Sequence, residues 1–302
     1  MLIVLQYLFA CKAPPPAPEG LDAVTSYMVK EFYQEDAVFE AGVQGFMNWF
    51  NTEGYTLVGE SAQDGNTDTF TLQDLAPEDI AHLPITDEGQ DLSRAKGVIS
   101  LAEMDCSWKK AEEYLLRHDQ DAVFSGDWDS YEREYINDRA TYEQATANEE
   151  FPPIDNPIDP FGADFDPSLY SSNIMLTLNQ ADPSPLLGVD LPPYDLYLDF
   201  RHGTYIVDDE EISVVAIITY MKEGAYDADG NNGLAQSYSI ELNIARGNEK
   251  TLRALAVWAE PVSSILEPDS PISLNYAVNK SLASSERISA ICAGEEEIPA
   301  EE

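Results

Sequence analysis

Tyr238-Ser239-Ile240-Glu241-Leu242-Asn243-Ile244 alternates apolar and polar side chains without a break. Successive side chains of a strand point to opposite faces of a sheet, so this period of two predicts a strand with one dry and one wet face. Its neighbours repeat the pattern, and that decides the fold. Leu252, Ala254, Ala256 and Trp258 follow after the Gly247-Asn248 turn, and Val214, Ala216, Ile218 and Tyr220 precede it. Further upstream, Leu196, Leu198 and Phe200 alternate with Tyr197 and Asp199, and Ile174, Leu176 and Leu178 with Met175, Thr177 and Asn179. Short loops join these runs, which predicts antiparallel pairing because parallel neighbours need long crossovers. The expected strands are 174–179, 195–200, 212–221, 237–246 and 251–259.

A helix follows, expected over 271–292. Ser270 can cap it, Pro271 suits its first turn and Gly294 can end it. Leu274, Val278, Leu282, Ser285, Ile288 and Cys292 recur at spacings of three and four, one helical face. Before the sheet, Val98–Ala102 reads as a strand running up to Cys106, and Ser107 caps a helix through Arg117. Residues 131–147 stay open between strand and helix, and 149–170 read as a Pro- and Asp-rich loop. Leu21, Val24, Met28 and Phe32, then Phe39, Val43, Phe46 and Phe50, give two helices with Asp36 as the cap between them. Tyr55–Val58 reads as a short strand and Pro77 opens a short helix. The class is α+β, with a mainly helical segment at 21–95, an α+β domain at 96–294 and an acidic tail at 295–302 expected to be disordered.

The chain has 302 residues, 44% of them apolar and 10% aromatic, enough for a real core. Lys and Arg number 16 against 56 Asp and Glu, a formal charge of −40. That imbalance argues against nucleic acid, whose binding rests on cationic neutralisation of phosphates, and against charge-driven contact with anionic lipid. No nucleophile elbow, zinc helix, phosphate loop or dinucleotide fingerprint occurs, so neither catalysis nor a cofactor is expected. His82, His118 and His202 are scattered, and His202 reads as a turn residue at a strand end.

Leu2–Ala10 is an apolar run ending at Cys11. It is too short to span a bilayer, which takes about 20 residues, and has the size of an export-signal core. Leu8-Phe9-Ala10-Cys11 resembles a bacterial lipobox, which implies cleavage before Cys11 and lipidation of Cys11. Lys12–Gly20 carries four prolines, which fix φ and remove donors, so it reads as an extended spacer. Residues 1–20 are therefore read as lipoprotein signal and tether, with the lipid anchor bringing a membrane as partner and the bacterial cell envelope as location. The plain alternative is a buried N-terminal strand with a core cysteine.

From residue 96 the order is strand, helix, connection, antiparallel strands and a long last helix. This order resembles the START-like, or helix-grip, fold, in which a curved antiparallel sheet wraps the C-terminal helix packed across it. The whole chain is also similar to lipoproteins of myxobacteria and related bacteria. The START-like resemblance implies a cavity for an apolar small molecule between sheet and last helix, with Leu176, Leu198, Ile218, Leu242 and Trp258 pointing into it. With Cys11 assigned to lipid, Cys106 and Cys292 remain as an even pair. In the helix-grip order the first strand pairs with the last and the helix runs back beside them. That brings Cys106, closing the first strand, to Cys292, closing the helix, and implies a disulfide.

Asp227-Ala228-Asp229-Gly230-Asn231 has the start of a calcium-loop spacing, offering Asp227, Asp229 and Asn231 as weak calcium ligands. Asn232 replaces the glycine of the sixth position and Tyr238 the glutamate of the twelfth, so a hairpin turn is the better reading. Two functions remain: an envelope protein holding an apolar molecule, or a structural lipoprotein with a filled core. The second would present its acidic face to a cationic or calcium-bridged protein partner.

Overall fold

A single antiparallel sheet with a cover on each face makes up the computed structural model, which describes residues 15–58, 70–86, 90–185, 190–263, 267 and 269–301. The N-terminal side contributes α1 (Leu21–Lys30), α2 (Asp36–Thr52), β1 (Thr71–Leu72) and α3 (Pro77–Ile80). Then come β2 (Lys96–Met104), α4 (Trp108–Leu116), α5 (Gln120–Val123), β3 (Trp128–Tyr135) and α6 (Arg139–Asn148). The chain continues through β4 (Ile174–Met175), β5 (Thr177–Pro183), β6 (Tyr194–Val207), β7 (Glu210–Tyr220) and β8 (Ala225–Tyr226). It ends with β9 (Gly233–Ala245), β10 (Thr251–Val262) and α7 (Pro271–Ala293). The sheet is open and ordered β1-β2-β10-β9-β7-β6-β5-β3, with β4 on β6 and β8 on β9. All these pairings are antiparallel.

The predicted signals hold at the start of α4 and at both ends of α7, whereas Asp36 is the first residue of α2 and Glu35 stands at its cap. Ser107 accepts from the Lys110 N–H and Ser270 from the Ser273 N–H, while Gly294 takes the left-handed conformation (φ 73°) that ends α7. The open stretch 131–147 divides into β3 and α6, whose start is fixed by the Asp138 carboxylate accepting from the Ala140 N–H. Tyr55–Val58 is not a strand: Gly54–Leu57 is a tight helical turn, in which the Thr56 hydroxyl donates to the Glu53 carbonyl.

Cross-strand partners share a face. Ala254, Leu242 and Ala216 are in register, as are Ala256, Ile240 and Ile218, and Trp258 opposes Tyr238. This apolar face packs under the two N-terminal helices, where Val24, Met28, Phe32, Phe39, Val43 and Phe46 share its core. Residues on either side of position 95 therefore belong to one core. The opposite face carries Ser100, Glu241, Asn243 and Arg253 among Val98, Val215, Ile217 and Phe200, and α4 and α7 cover it.

Two expectations are corrected here. Leu176, Ile218, Leu242 and Trp258 are buried on the N-terminal-helix side, and only Leu198 packs with the core on the α7 side. Alternation separated the two faces, but the polar one is not wet: Glu241 and Asn243 are buried beneath α7. The tail from Glu295 is also ordered as far as Glu301. Pro299 accepts from Arg117 through its carbonyl, and Glu301 takes two bonds of 2.7 Å from Arg139 and one of 2.9 Å from the His118 N–H. Arg139 holds the Glu301 carboxyl down at about 2 against the opposing pull of burial.

The last helix runs in the same direction as β2. Val278 packs on Val98, Ser281 bonds Ser100, and Ser289 accepts from the Asp105 N–H. One turn further, Cys292 meets Cys106 in a disulfide with Cα atoms 5.5 Å apart and 186 residues between them in sequence. Closing so long a loop restricts the unfolded chain, worth about 4–5 kcal/mol in the chain-entropy model. We expect Cys106→Ser/Cys292→Ser to lose about 2–5 kcal/mol in urea unfolding. In the oxidised, denatured wild type neither of these two thiols should titrate.

Candidate functional site

Arg201, on β6, is fully buried on the sheet face that meets the N-terminal helices. A guanidinium there needs acceptors, because an unpaired buried charge costs several kcal/mol. It finds them in the turn between α1 and α2. Nη1 donates to the Phe32 carbonyl at 2.5 Å and the Gln34 carbonyl at 2.8 Å, and Nη2 to Asp36 Oδ1 at 2.7 Å. The guanidinium also lies 4.4 Å from the centre of the Phe39 ring. Asp36, expected as a helix cap, spends its second oxygen on the Ile154 N–H at 2.8 Å.

Pinning this turn sets Tyr33 over Asp199, two residues from Arg201 on the same face. The Tyr33 hydroxyl donates to Asp199 Oδ2 at 2.5 Å, and the Thr177 N–H donates to Oδ1 at 3.1 Å. Burial pushes the Asp199 carboxyl up to about 7, with the Tyr33 bond working against it. Around this pair stand His82, Phe161 and Tyr220, with ring separations of 5.7–6.2 Å. His82 Nε2 and the Tyr220 hydroxyl are buried and make no hydrogen bond of good geometry among the described residues. Burial takes His82 down to about 4, so its ring is neutral at ordinary pH.

Beside this chamber run residues 73–86 and 90–93, stitched to the sheet. Trp258 Nε1 donates to the Gln73 carbonyl, Tyr238 to Gln90 Oε1, and Gln236 Nε2 to the Asp91 carbonyl, at 2.6–2.9 Å. The segment encloses a cleft of about 570 Å³ whose walls are Leu75, Pro77, Ile80, Leu83, Ile85 and Leu92, with Asp91 and Ser93 among its polar groups. Its volume lies in the range of small-molecule sites, about 300–1,000 Å³. The walls suit an aliphatic or aromatic body, and the few polar groups suit one or two hydrogen bonds.

Under α7 the arrangement is different. Arg253 makes two 2.8 Å bonds to Glu241 and donates to Ser284 at 2.5 Å and Ser285 at 3.1 Å. This network occupies the middle of the interface in which the apolar cavity was expected. At the flank of α7 lies a smaller opening of about 340 Å³, lined by Phe124, Lys280, Ser284 and Arg287, with the Lys280–Asp127 ion pair in its wall. It is polar.

His202 sits inside β6, fully buried, and not at a turn. Its ring lies between Tyr142 and Phe151, with centroids 4.0 and 4.1 Å away. Nε2 meets the Ser172 carbonyl at 2.7 Å and Nδ1 the Thr146 hydroxyl at 3.0 Å. Burial takes it down to about 3 and takes the neighbouring Glu112, which accepts from Tyr142, up to about 7. His202 is thus a satisfied core group, while Glu112 Oε2 is buried and makes no hydrogen bond of good geometry among the described residues.

The Asp227 loop is the β8–β9 hairpin. Asp227 Oδ1 accepts from the Asn231 N–H at 2.8 Å, and Oδ2 from the Asn232 N–H and side chain at 3.2 and 2.9 Å. The carboxylate proposed as a calcium ligand is thus committed to its own turn. His118, Asp119 and Glu301 lie close enough together to hold a metal ion, with their carboxylates on Arg117 and Arg139. Cys11 lies outside the described residues.

No family model matches the chain, and no curated protein does. Among solved structures it is similar to a START superfamily protein from Mycobacterium smegmatis, at 9% identity and a TM-score of 0.35, over 66% of this chain and 99% of that one. It is also similar to a point mutant of norcoclaurine synthase from Thalictrum flavum in complex with a transition-state analogue. There the identity is 13% and the TM-score 0.33, over 67% of this chain and 97% of the other.

Asp199 and Glu112 give the protein a pH signature. Both carboxyls are raised above their ordinary value of about 4. Their stabilising effect is present in full below that value and is lost as pH rises through about 7. The urea midpoint should fall between about pH 4 and about pH 7 and level off above that. Asp199→Asn should flatten that fall relative to wild type; an unchanged slope would mean Asp199 is ionised in the folded state.

Proposed function

We propose that this chain is a lipid-anchored protein of the bacterial cell envelope that binds an apolar small molecule in the cleft formed by residues 74–85 and 90–93. One observation carries the reading: a cleft of about 570 Å³ with aliphatic walls, in a chain with 56 acidic residues. An apolar recess on so acidic a surface suits a ligand whose body is withdrawn from water. The reading places the ligand on the opposite side of the sheet from α7. Binding there calls for shielding or carriage of the ligand. The chamber around Asp199 adjoins the cleft through His82, whose neighbours Ala81 and Leu83 line it, and so can select among ligands.

The anchor is supported by Leu8-Phe9-Ala10-Cys11 and by the proline spacer that follows it. The Cys106–Cys292 bridge supports an oxidising compartment, where such bonds persist.

The test uses a neutral apolar fluorophore, N-phenylnaphthylamine, and the substitution Ala81→Trp. Ala81 is exposed and lines the cleft, so an indole there fills the recess without entering the core. Probe affinity should drop by about tenfold or more, the scale of losing most of an apolar contact, with the unfolding midpoint unchanged. Equal affinity in the two proteins would remove this cleft as the binding site. In cells, Cys11→Ser should move the protein from the membrane to the soluble fraction, and native protein retaining Met1–Ala10 without an acyl chain would contradict the anchor.

A further inference from the structure

A second cleft lies at the same end of the sheet. It encloses about 560 Å³ and is lined by Tyr194, Tyr197, Lys222, Asp195, Glu223 and Thr86. Thr86 belongs to the segment that walls the first cleft, and it is tied to the Lys222 carbonyl through its N–H at 3.0 Å and its hydroxyl at 3.1 Å. The floor is an aromatic stack. Tyr197 lies 5.2 Å from Tyr220, with ring planes 10° apart. Tyr220 is buried in the core, so one face of Tyr197 is covered and the other turns to the cleft.

A cation already sits on that free face. Lys222 Nζ lies 4.2 Å from the centre of the Tyr197 ring. The two rings are too close and too nearly parallel for the ammonium to fit between them, so it is on the cleft side. Lys222 makes no ion pair among the described residues, although Asp195 and Glu223 line the same cleft. In a chain with a formal charge of −40, the ammonium is placed on a π-face and not on a carboxylate.

We infer that the Tyr197 cleft is a binding site for an organic cation, a substituted ammonium group, and that Lys222 occupies it in the free protein. A π-face attracts a cation more strongly as the cation is less hydrated, so alkylated ammonium groups are favoured over the strongly hydrated lysine head. Asp195 and Glu223 at the wall add a field of the right sign. Displacement needs only a rotation of the Lys222 side chain, because its backbone stays bound to Thr86.

Choline and its uncharged isostere dimethylbutanol separate this from general attraction to an acidic surface. Both are titrated into wild type, Lys222→Ala and Tyr197→Leu by isothermal titration calorimetry. High salt screens the long-range field. Choline should bind saturably, and in Lys222→Ala about three- to tenfold more tightly than in wild type, because the competing cation is gone. Dimethylbutanol should bind about tenfold more weakly than choline, and Tyr197→Leu should lose the preference. If Tyr197→Leu does not fold, Lys222→Ala decides alone. No saturable choline binding in Lys222→Ala, or equal affinity for the two compounds, would overturn the inference. Ala81→Trp should leave choline binding unchanged, which keeps this site independent of the apolar cleft.

Discussion

A guanidinium without water must be met by acceptors, and both Nη groups of Arg201 meet theirs at the turn that joins the two N-terminal helices, while Nε donates to the Tyr205 hydroxyl. The arrangement has a direct consequence for the fold. With the turn held over β6, the apolar sides of α1 and α2 have a fixed register on the sheet, and the row from Trp258 to Ile218 is sealed. The 149–170 loop is drawn into the same place, through the Ile154 N–H to Asp36 and the Ile158 N–H to the Tyr33 carbonyl. Tyr33 then reaches Asp199, and Phe161 closes the chamber against Tyr33 and Tyr220. The functional end of the molecule is a by-product of how one buried charge is satisfied.

The other face follows a different logic. Its centre is polar, and α7 answers with hydroxyls: Ser281 to Ser100, Ser284 and Ser285 to Arg253. Apolar packing flanks these hydroxyls, from Leu274, Val278 and Leu282 on one side and from Ile288 and Ile291 on the other. A polar interface of this kind gains little net energy, because desolvation of the ion pair offsets most of its attraction. It does fix register, since any shift of α7 would cost Arg253 its bonds to Ser284 and Ser285 and Ser100 its bond to Ser281. The disulfide at the far end fixes the same register covalently.

This division explains which parts of the structure were legible in the sequence. The strands, the last helix and its caps, and the pairing of Cys106 with Cys292 could all be read, because each rests on local periodicity or on the order of elements. Which cover each face receives could not be read. Ser239, Glu241 and Asn243 carry the pattern of a wet face, and burial of that face depends on contacts such as those of Ser281, Ser284 and Ser285, which lie far away in sequence. Asp199 and Arg201 were hidden for the same reason. They share a face with Ile218 and Ala216 through the β6–β7 register, while within β6 alone the apolar residues Leu196, Leu198 and Phe200 mark the other side as dry. Tyr33 read as one aromatic among several in a helical stretch, with nothing local to single out its hydroxyl. The apolar cleft was missed because the short helix at Pro77 and the chain after it gave no periodic signal.

If Arg201 couples the N-terminal helices to the sheet, the two cannot open separately. Native-state hydrogen exchange measures this directly, because amides in one cooperative unit share the free energy of the opening that exposes them. The slowest amides of α1 and α2 should exchange with the same opening free energy as those of β7 and β9, and with the same denaturant dependence. Exchange of α1 and α2 through a distinct, lower-energy opening, with β7 and β9 still protected, would contradict a single core organised around Arg201.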